Sequence, residues 1–154
     1  MEFSHLDDSG KARMVDVSSK PVVKRTALAG GYIKLAPETI KAISDQQIPK
    51  GDVLTVAKMA GISAAKQTGH TIPLCHPVIL DQVDVEFEVK EDRILIQATA
   101  ICAGRTGVEM EALSAVSGAA LGIYDMCKAV DKEMEISAIR LIKKTKETIV
   151  RENQ

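Results

Sequence analysis

Residues 72–78 read Ile-Pro-Leu-Cys-His-Pro-Val and set Cys75 and His76 between two prolines, in a chain with three cysteines and three histidines. Three readings compete: a metal site, a catalytic or binding loop, and a rigid turn whose Cys and His are incidental. Adjacent residues chelate one zinc poorly, and structural zinc sites favour spacings such as C-x2-C or H-x3-H. His70 stands six positions before His76 and does not complete such a spacing, so no metal is expected here. A free cysteine behaves as a small hydrophobe, which makes Cys75 a candidate for buried filler. His76 differs, because a proline-stiffened loop holds an imidazole still, as binding or proton transfer requires.

Two further groups could carry charge chemistry. Glu109 and Glu111 open a helical pattern at 107–130. Two positions apart on a helix, they point to different sides and cannot form one carboxylate pair. Either they favour the positive end of the helix dipole, or one reaches a ligand while the other anchors a loop. Asp125 and Lys128 are neighbours on one helix face, as in an ordinary surface ion pair. Their surroundings, IYDMCKAV, are mostly apolar. Poor solvation is therefore the expectation, and a desolvated lysine near other cations would have its pKa lowered toward neutrality.

Distance separates these groups. Glu111 and Asp125 lie 14 positions apart, about 21 Å along a helix at 1.5 Å per residue. A compact small-molecule site cannot easily use both ends from one chain; if both matter, a site shared across a subunit interface is expected. Lys20, Arg25, Lys50, Lys128, Arg140, Lys143 and Lys144 would suit a polyphosphate if the fold gathers them. No Walker loop, GxGxxG, HExxH or GxSxG occurs, which leaves the common nucleotide, protease and hydrolase readings unsupported.

The elements that must position these residues follow from periodicity. Residues 1–20 read as a flexible N-terminal arm and 21–150 as a single domain. Residues 22–35 read as a strand kinked at Gly30-Gly31, and Pro37 opens a short helix. Asp52 is a candidate N-cap for a helix over 53–67 with a stripe of Val53, Val56, Ala57, Ala60 and Ala64. Residues 78–89 and 93–102 read as a hairpin joined at Lys90-Glu91-Asp92. The helix at 107–130 is rich in Ala, Ser and Gly, and is expected to be buried against the sheet or another subunit. Residues 134–144 form the last strand. The order β-α-α-β-β-α-β is α+β: a ferredoxin-like antiparallel sheet with helices on one face and one additional helix.

Composition narrows the partners. The chain has 154 residues, 45% hydrophobic and 27% charged, enough for one domain with a sizeable core. A formal net charge of -1 with only 3% aromatic residues speaks against nucleic acid, which needs basic fields and stacking surfaces. No apolar stretch approaches a membrane span, and no signal-peptide pattern opens the chain. Three scattered cysteines without CxxC spacing fit a reducing, cytoplasmic setting.

Six stretches together carry a resemblance: MVDVSSK (14–20), KGDVL (50–54), AGISAAKQT (60–68), IPLCHP (72–77), TGVEMEAL (106–113) and IYDMCKAV (123–130). In this order, over nearly the whole chain, they resemble the cyclic pyranopterin monophosphate synthase family, the C proteins of molybdenum cofactor biosynthesis. The resemblance implies a ferredoxin-like subunit in a homohexamer of three dimers, with active sites at the dimer interface. It implies conversion of 3',8-cyclo-7,8-dihydroguanosine triphosphate to cyclic pyranopterin monophosphate with release of pyrophosphate. No organic cofactor or resident metal is implied, although a divalent cation such as magnesium could accompany the phosphates. Residue by residue, it makes Asp125, Lys128 and Lys50 catalytic, with the lysines as general acid and base. Leu74, Cys75 and His76 match a substrate-binding loop, and Met110 and Glu111 a second binding segment. Glu109, Lys20, Arg25 and Lys144 match further pocket positions. The chain departs from the family after its last strand, where Lys144-Thr-Lys-Glu-Thr148 lacks the usual glycine-rich turn. A competing reading is a non-catalytic oligomeric ligand-binding module of the same fold, which would bind the substrate without releasing pyrophosphate.

Overall fold

The computed structural model describes residues 5–149. Residues 1–4 of the arm read over 1–20, and residue 150 at the end of the domain, lie outside the described residues. The elements run β1 (Val23–Lys34), α1 (Pro37–Ser44), α2 (Val53–Thr71), β2 (Gln82–Val89), β3 (Arg93–Gly104), α3 (Glu109–Cys127) and β4 (Glu135–Glu147). The strands form one antiparallel sheet in the order β2-β3-β1-β4, the ferredoxin-like arrangement expected from the element order.

Alternation decides which face is covered. Ala27, Ala29 and Ile33 of β1 and Ile94, Ile96, Ala98, Ala100 and Cys102 of β3 point to one side and are fully buried. Val85 of β2 joins them, paired with Ala98. Opposite them, α3 contributes Ala112, Ala115, Val116, Ala119 and Ile123, all buried. The core is thus a layer of β-branched and small residues, as a chain with so few aromatics requires. β1 also shifts register against β4 between Leu28 and Ala29 and again between Gly30 and Tyr32, the irregularity foreseen at the glycine pair.

The small residues of α3 have a different role from one anticipated above. They meet α2 of the same chain. A Cβ on Gly118 would stand 2.5 Å from the Ala64 Cβ and 2.9 Å from the Ala60 carbonyl oxygen; one on Gly122 would stand 3.0 Å from the Ala57 Cα. The Ala57-Ala60-Ala64 stripe of α2 is the complement of this surface. The glycine-alanine flank is therefore consumed within the subunit, and any contact between subunits must use other residues.

Two carboxylates fix the helix starts. Asp52 caps α2, accepting from the Thr55 amide (3.1 Å) and the Thr55 hydroxyl (2.6 Å), which satisfies donors the helix leaves free. α1 starts at Pro37 with no cap from Ala36 itself. Buried Asp131 reaches it instead, accepting the Ala36 amide at 2.8 Å. β2 begins at Gln82 and not at 78, because the registers facing β3 start at Gln82-Ile101. Residues 78–81 leave the ladder although β3 continues to Gly104: the Asp81 carboxylate accepts the Ala103 amide at 2.8 Å, and Ile79 is left 90% exposed.

Candidate active site

The groups capable of chemistry gather at the two ends of α3. At its C-terminal end, the Asp125 carboxylate lies between two ammonium groups. Lys128 Nζ is 2.7 Å from Oδ1 and Lys50 Nζ is 2.9 Å from Oδ2. Lys50 also donates to the Asp125 carbonyl oxygen at 2.8 Å. Lys50 comes from the turn between α1 and α2, where Gly51, at φ +101°, donates its amide to the Ile48 carbonyl. Nothing in the spacing of residues 75 positions apart announces this triad.

The electrostatics differ from the expectation of a poorly solvated lysine. Asp125 and Lys128 side chains are each 57% exposed, because the apolar neighbours Ile123 and Met126 turn inward. The hydrogen bond from Lys128, with that from Lys50, pulls the Asp125 carboxyl down to about 2. The same bond, donated by Lys128 to Asp125, raises the Lys128 pKa rather than lowering it. In the resting subunit Asp125 is ionised and Lys128 is held in its protonated, acid form. Asp125 has an ordinary value of 3.8 and a lower one when folded, so its pairing stabilises the fold above pH 3.8. That contribution fades as pH falls toward 2. Because the pair is exposed, the contribution is small: acid unfolding followed by circular dichroism should show wild type slightly more stable than Asp125→Asn above about pH 4, with the gap closing near pH 2. A pH-independent gap would show that the pairing does not carry the difference.

At the other end, three clefts of about 310, 520 and 230 Å³ share Arg25 on their walls. The first is closed by Glu109, Lys144 and Lys146, the second by Lys20 and Lys146, and the third by Lys20, His76 and Arg105. Arg25 and Lys146 face one another across β1 and β4. Like charges directly opposite in a sheet are unfavourable, so the pair makes sense when an anion lies between them. Glu109 is the acid of this wall. Burial works against its ionisation more than any other single influence, but the hydrogen bond from Lys144 at 2.9 Å, a backbone hydrogen bond and the charges of Lys144 and Arg25 together outweigh it, and the carboxyl stays below its ordinary range.

The proline-bracketed loop joins this end. A Cβ on Gly69, in the last turn of α2, would stand 2.8 Å from the Pro77 Cα. This close approach seats the loop and fixes His76 on the cleft wall. Leu74 and Met110 are partly exposed beside it, whereas Glu111 is 3% exposed. Burial pushes the Glu111 carboxyl up. Burial, with the Glu111 charge, also pushes up the Cys75 thiol, and burial takes Cys127 to about 11. None of these thiols is a ready thiolate, which disfavours cysteine nucleophilic chemistry. Among the described residues, no group of three or more His, Cys, Asp and Glu side chains is placed to hold a metal ion, and no helix is long and apolar enough to cross a membrane.

Leu74, Cys75, His76, Met110, Glu111, Glu109, Lys20, Arg25 and Lys144 thus belong to one end of α3, and Lys50, Asp125 and Lys128 to the other. Arg105 and Lys146 line the clefts and were missed by sequence reading. Lys146 was detectable as the residue two places after Lys144 on the same strand face. β4 continues through Glu147, so the glycine-free segment is regular strand that points both lysines at the clefts.

A sequence model of the MoaC family matches residues 14–147. The chain is similar to the molybdenum cofactor biosynthesis bifunctional protein of Chlorobaculum tepidum, 61% identical over 145 residues, which are 94% of this chain and 46% of that protein. It is also similar to the cyclic pyranopterin monophosphate synthase of Peptoclostridium acidaminophilum, 57% identical over 94% of this chain and 92% of that one. The cyclic pyranopterin monophosphate synthase 1 of Mycobacterium tuberculosis H37Rv is 57% identical over 94% of this chain and 86% of its own length.

Proposed function

This chain belongs to the MoaC family, and from that premise we propose that it is a cyclic pyranopterin monophosphate synthase acting in molybdenum cofactor biosynthesis. It converts 3',8-cyclo-7,8-dihydroguanosine triphosphate to the cyclic monophosphate and pyrophosphate. The observation that carries the reading is the division of labour along α3: an anion-binding surface at one end, a proton-transfer triad at the other.

Forming a cyclic monophosphate with loss of pyrophosphate requires a ribose hydroxyl to attack the α-phosphorus while the bond to the bridging oxygen of the pyrophosphate breaks. The departing group gains negative charge, which Arg25, Lys20, Lys144 and Lys146 would stabilise. The purine-derived rings must open and reclose, which needs proton donors and acceptors. Lys128, held protonated by Asp125, suits donation first and becomes a base once its proton has left, with Lys50 on the same carboxylate as the second proton-transfer group. His76, Met110 and Glu111 would hold the base and sugar against the loop. The reading calls for no organic cofactor, and a divalent cation would ride on the phosphates rather than in a protein cage.

The two ends of α3 can meet on one ligand when a second copy supplies the other. Val56, Met59, Leu121 and Tyr124 support this, because they stay exposed on α2 and α3 beside the triad, an apolar flank suited to another subunit. The assembly we propose is a homohexamer of three dimers with its sites at the dimer interfaces. The free Cys75, Cys102 and Cys127 support a cytoplasmic setting, and residues 21–150 act as one catalytic domain.

The test is complementation. Arg25→Ala and Lys128→Ala subunits, each inactive alone, are unfolded together, refolded, and assayed for pyrophosphate release. A two-fold shared site returns about a quarter of wild-type activity, because half the dimers are mixed and each holds one intact site. No recovery places the site within one chain. Substrate bound by wild type without any pyrophosphate release would instead make the protein a binding module.

A further inference from the structure

The segment before β1 brings Lys20 to two of the three clefts, yet its own hydrogen bonds are almost all local. Leu6 and Ala12 form an isolated bridge, and the Asp7 carboxylate accepts from Ser9 and Lys11. The Asp16 carboxylate accepts from the Ser18 amide at 2.8 Å, and the Lys20 amide donates to the Val17 carbonyl at 3.0 Å. Among the described residues, one hydrogen bond ties residues 5–20 to the rest of the chain. The Arg105 Nε donates to the Lys20 carbonyl oxygen at 3.1 Å.

Arg105 is itself held from below. Arg25 donates from Nε to the Gly104 carbonyl (3.0 Å) and from Nη2 to the Arg105 carbonyl (3.0 Å). These bonds fix the turn that follows β3. The order of support is therefore Arg25 side chain, Arg105 main chain, Arg105 side chain, Lys20 main chain. Two donors of Arg25 are spent on this turn, so part of its role is to set the position of another cation.

From this geometry we infer that Arg105 is a positioning residue: its side chain fixes the Lys20 backbone so that the Lys20 ammonium is aimed at the phosphate-binding clefts. A short flexible lysine stem anchored at its own carbonyl loses less freedom on binding than one carried by a loose segment. The inference rests on the proposed function in taking the ligand as a polyphosphate, but the latch itself does not depend on it.

Side-chain chemistry supplies a sharp test. In glutamine the amide nitrogen sits the same number of bonds from the main chain as the arginine Nε. Arg105→Gln keeps the donor to Lys20 and removes the charge, whereas Arg105→Ala removes both. Arg105 is exposed, so both variants should fold, which a melting curve confirms. The first readout is amide hydrogen exchange over residues 15–20 in the ligand-free native protein. Exchange should accelerate several-fold in Arg105→Ala and stay near wild type in Arg105→Gln.

The second readout is affinity for inorganic tripolyphosphate by calorimetry, together with KM and kcat for turnover. Arg105→Ala should weaken affinity and raise KM about five- to tenfold with kcat nearly unchanged, as expected from losing about 1 kcal/mol of one hydrogen bond's worth of order. Arg105→Gln should recover most of it. In a Lys20→Ala background, Arg105→Ala should add almost nothing. Unchanged exchange in Arg105→Ala overturns the latch. Weakened binding in Arg105→Gln equal to that in Arg105→Ala, or additive losses with Lys20→Ala, overturns positioning in favour of direct contact between Arg105 and the anion. If wild type neither binds tripolyphosphate nor turns over, the polyphosphate reading fails, and the exchange result still decides the latch.

Discussion

Lys128→Ala lowers pyrophosphate release by about two to four orders of magnitude, the span general acid–base groups contribute, and leaves the melting temperature within a degree or two of wild type. The second half of that expectation is as important as the first. Lys128 and Lys50 side chains are 57% and 42% exposed, and exposed ion pairs contribute little to stability. A large loss of turnover therefore reports chemistry and not damage to the fold. Lys50→Ala should behave alike, since both ammonium groups share the Asp125 carboxylate. The two substitutions together should cost less than the product of the separate losses, because each leaves the other lysine with an altered partner. Full turnover by either variant removes that lysine from the mechanism.

The second large effect concerns the helix pair. Gly118→Val should destabilise the protein by about 3 kcal/mol or more, the upper range for overpacking a tight interior. The reason is what an added Cβ meets: the Ala64 Cβ at 2.5 Å and the Ala60 carbonyl oxygen at 2.9 Å. Neither is the mobile tip of a side chain, so the helices must separate or the sheet beneath them must yield. A melting temperature lower by roughly 6–12 °C follows for a domain of this size. Because α3 carries Asp125 and Lys128 and the turn before α2 carries Lys50, the variant that remains folded should also lose activity. An unchanged melting temperature would mean that α2 and α3 do not pack through these residues.

The fold was legible where local pattern and tertiary demand agree. The alternation of Val83, Val85 and Phe87 against acids marks a half-buried strand wherever it sits, and Asp52 before an apolar stripe marks a helix start. The stripe of Ala57, Ala60 and Ala64 and the glycines of α3 were each visible, but not that one is the complement of the other. Periodicity says which face is apolar, not what covers it. The run at 78–81 mimics a strand because strand propensity cannot register that the Asp81 carboxylate, and not a paired backbone, takes the Ala103 amide of β3. In the candidate site, motif resemblance located both ends of α3, whereas the pairing of Lys50 with Asp125 depends on a turn placed by packing. The state of Lys128 was misjudged for a related reason: neighbours in sequence were apolar, but helical geometry turned them to the core and left the charged face in water. Arg105 escaped notice because its partner is a main-chain carbonyl, which no side-chain pattern encodes.

α3 bears reactive groups at both tips and a close-fitting seam along its side, and that combination restricts how the gene can drift. Inserting a single residue between Glu109 and Asp125 would turn one tip by 100° against the other and advance it by about 1.5 Å, spoiling the seam and the placement of both charged clusters in one event. Lineages should therefore vary the length of the termini and of the β-hairpin turn freely, while the span from Gly107 to Lys128 keeps a constant residue count, like a ruler whose graduations must match at both ends.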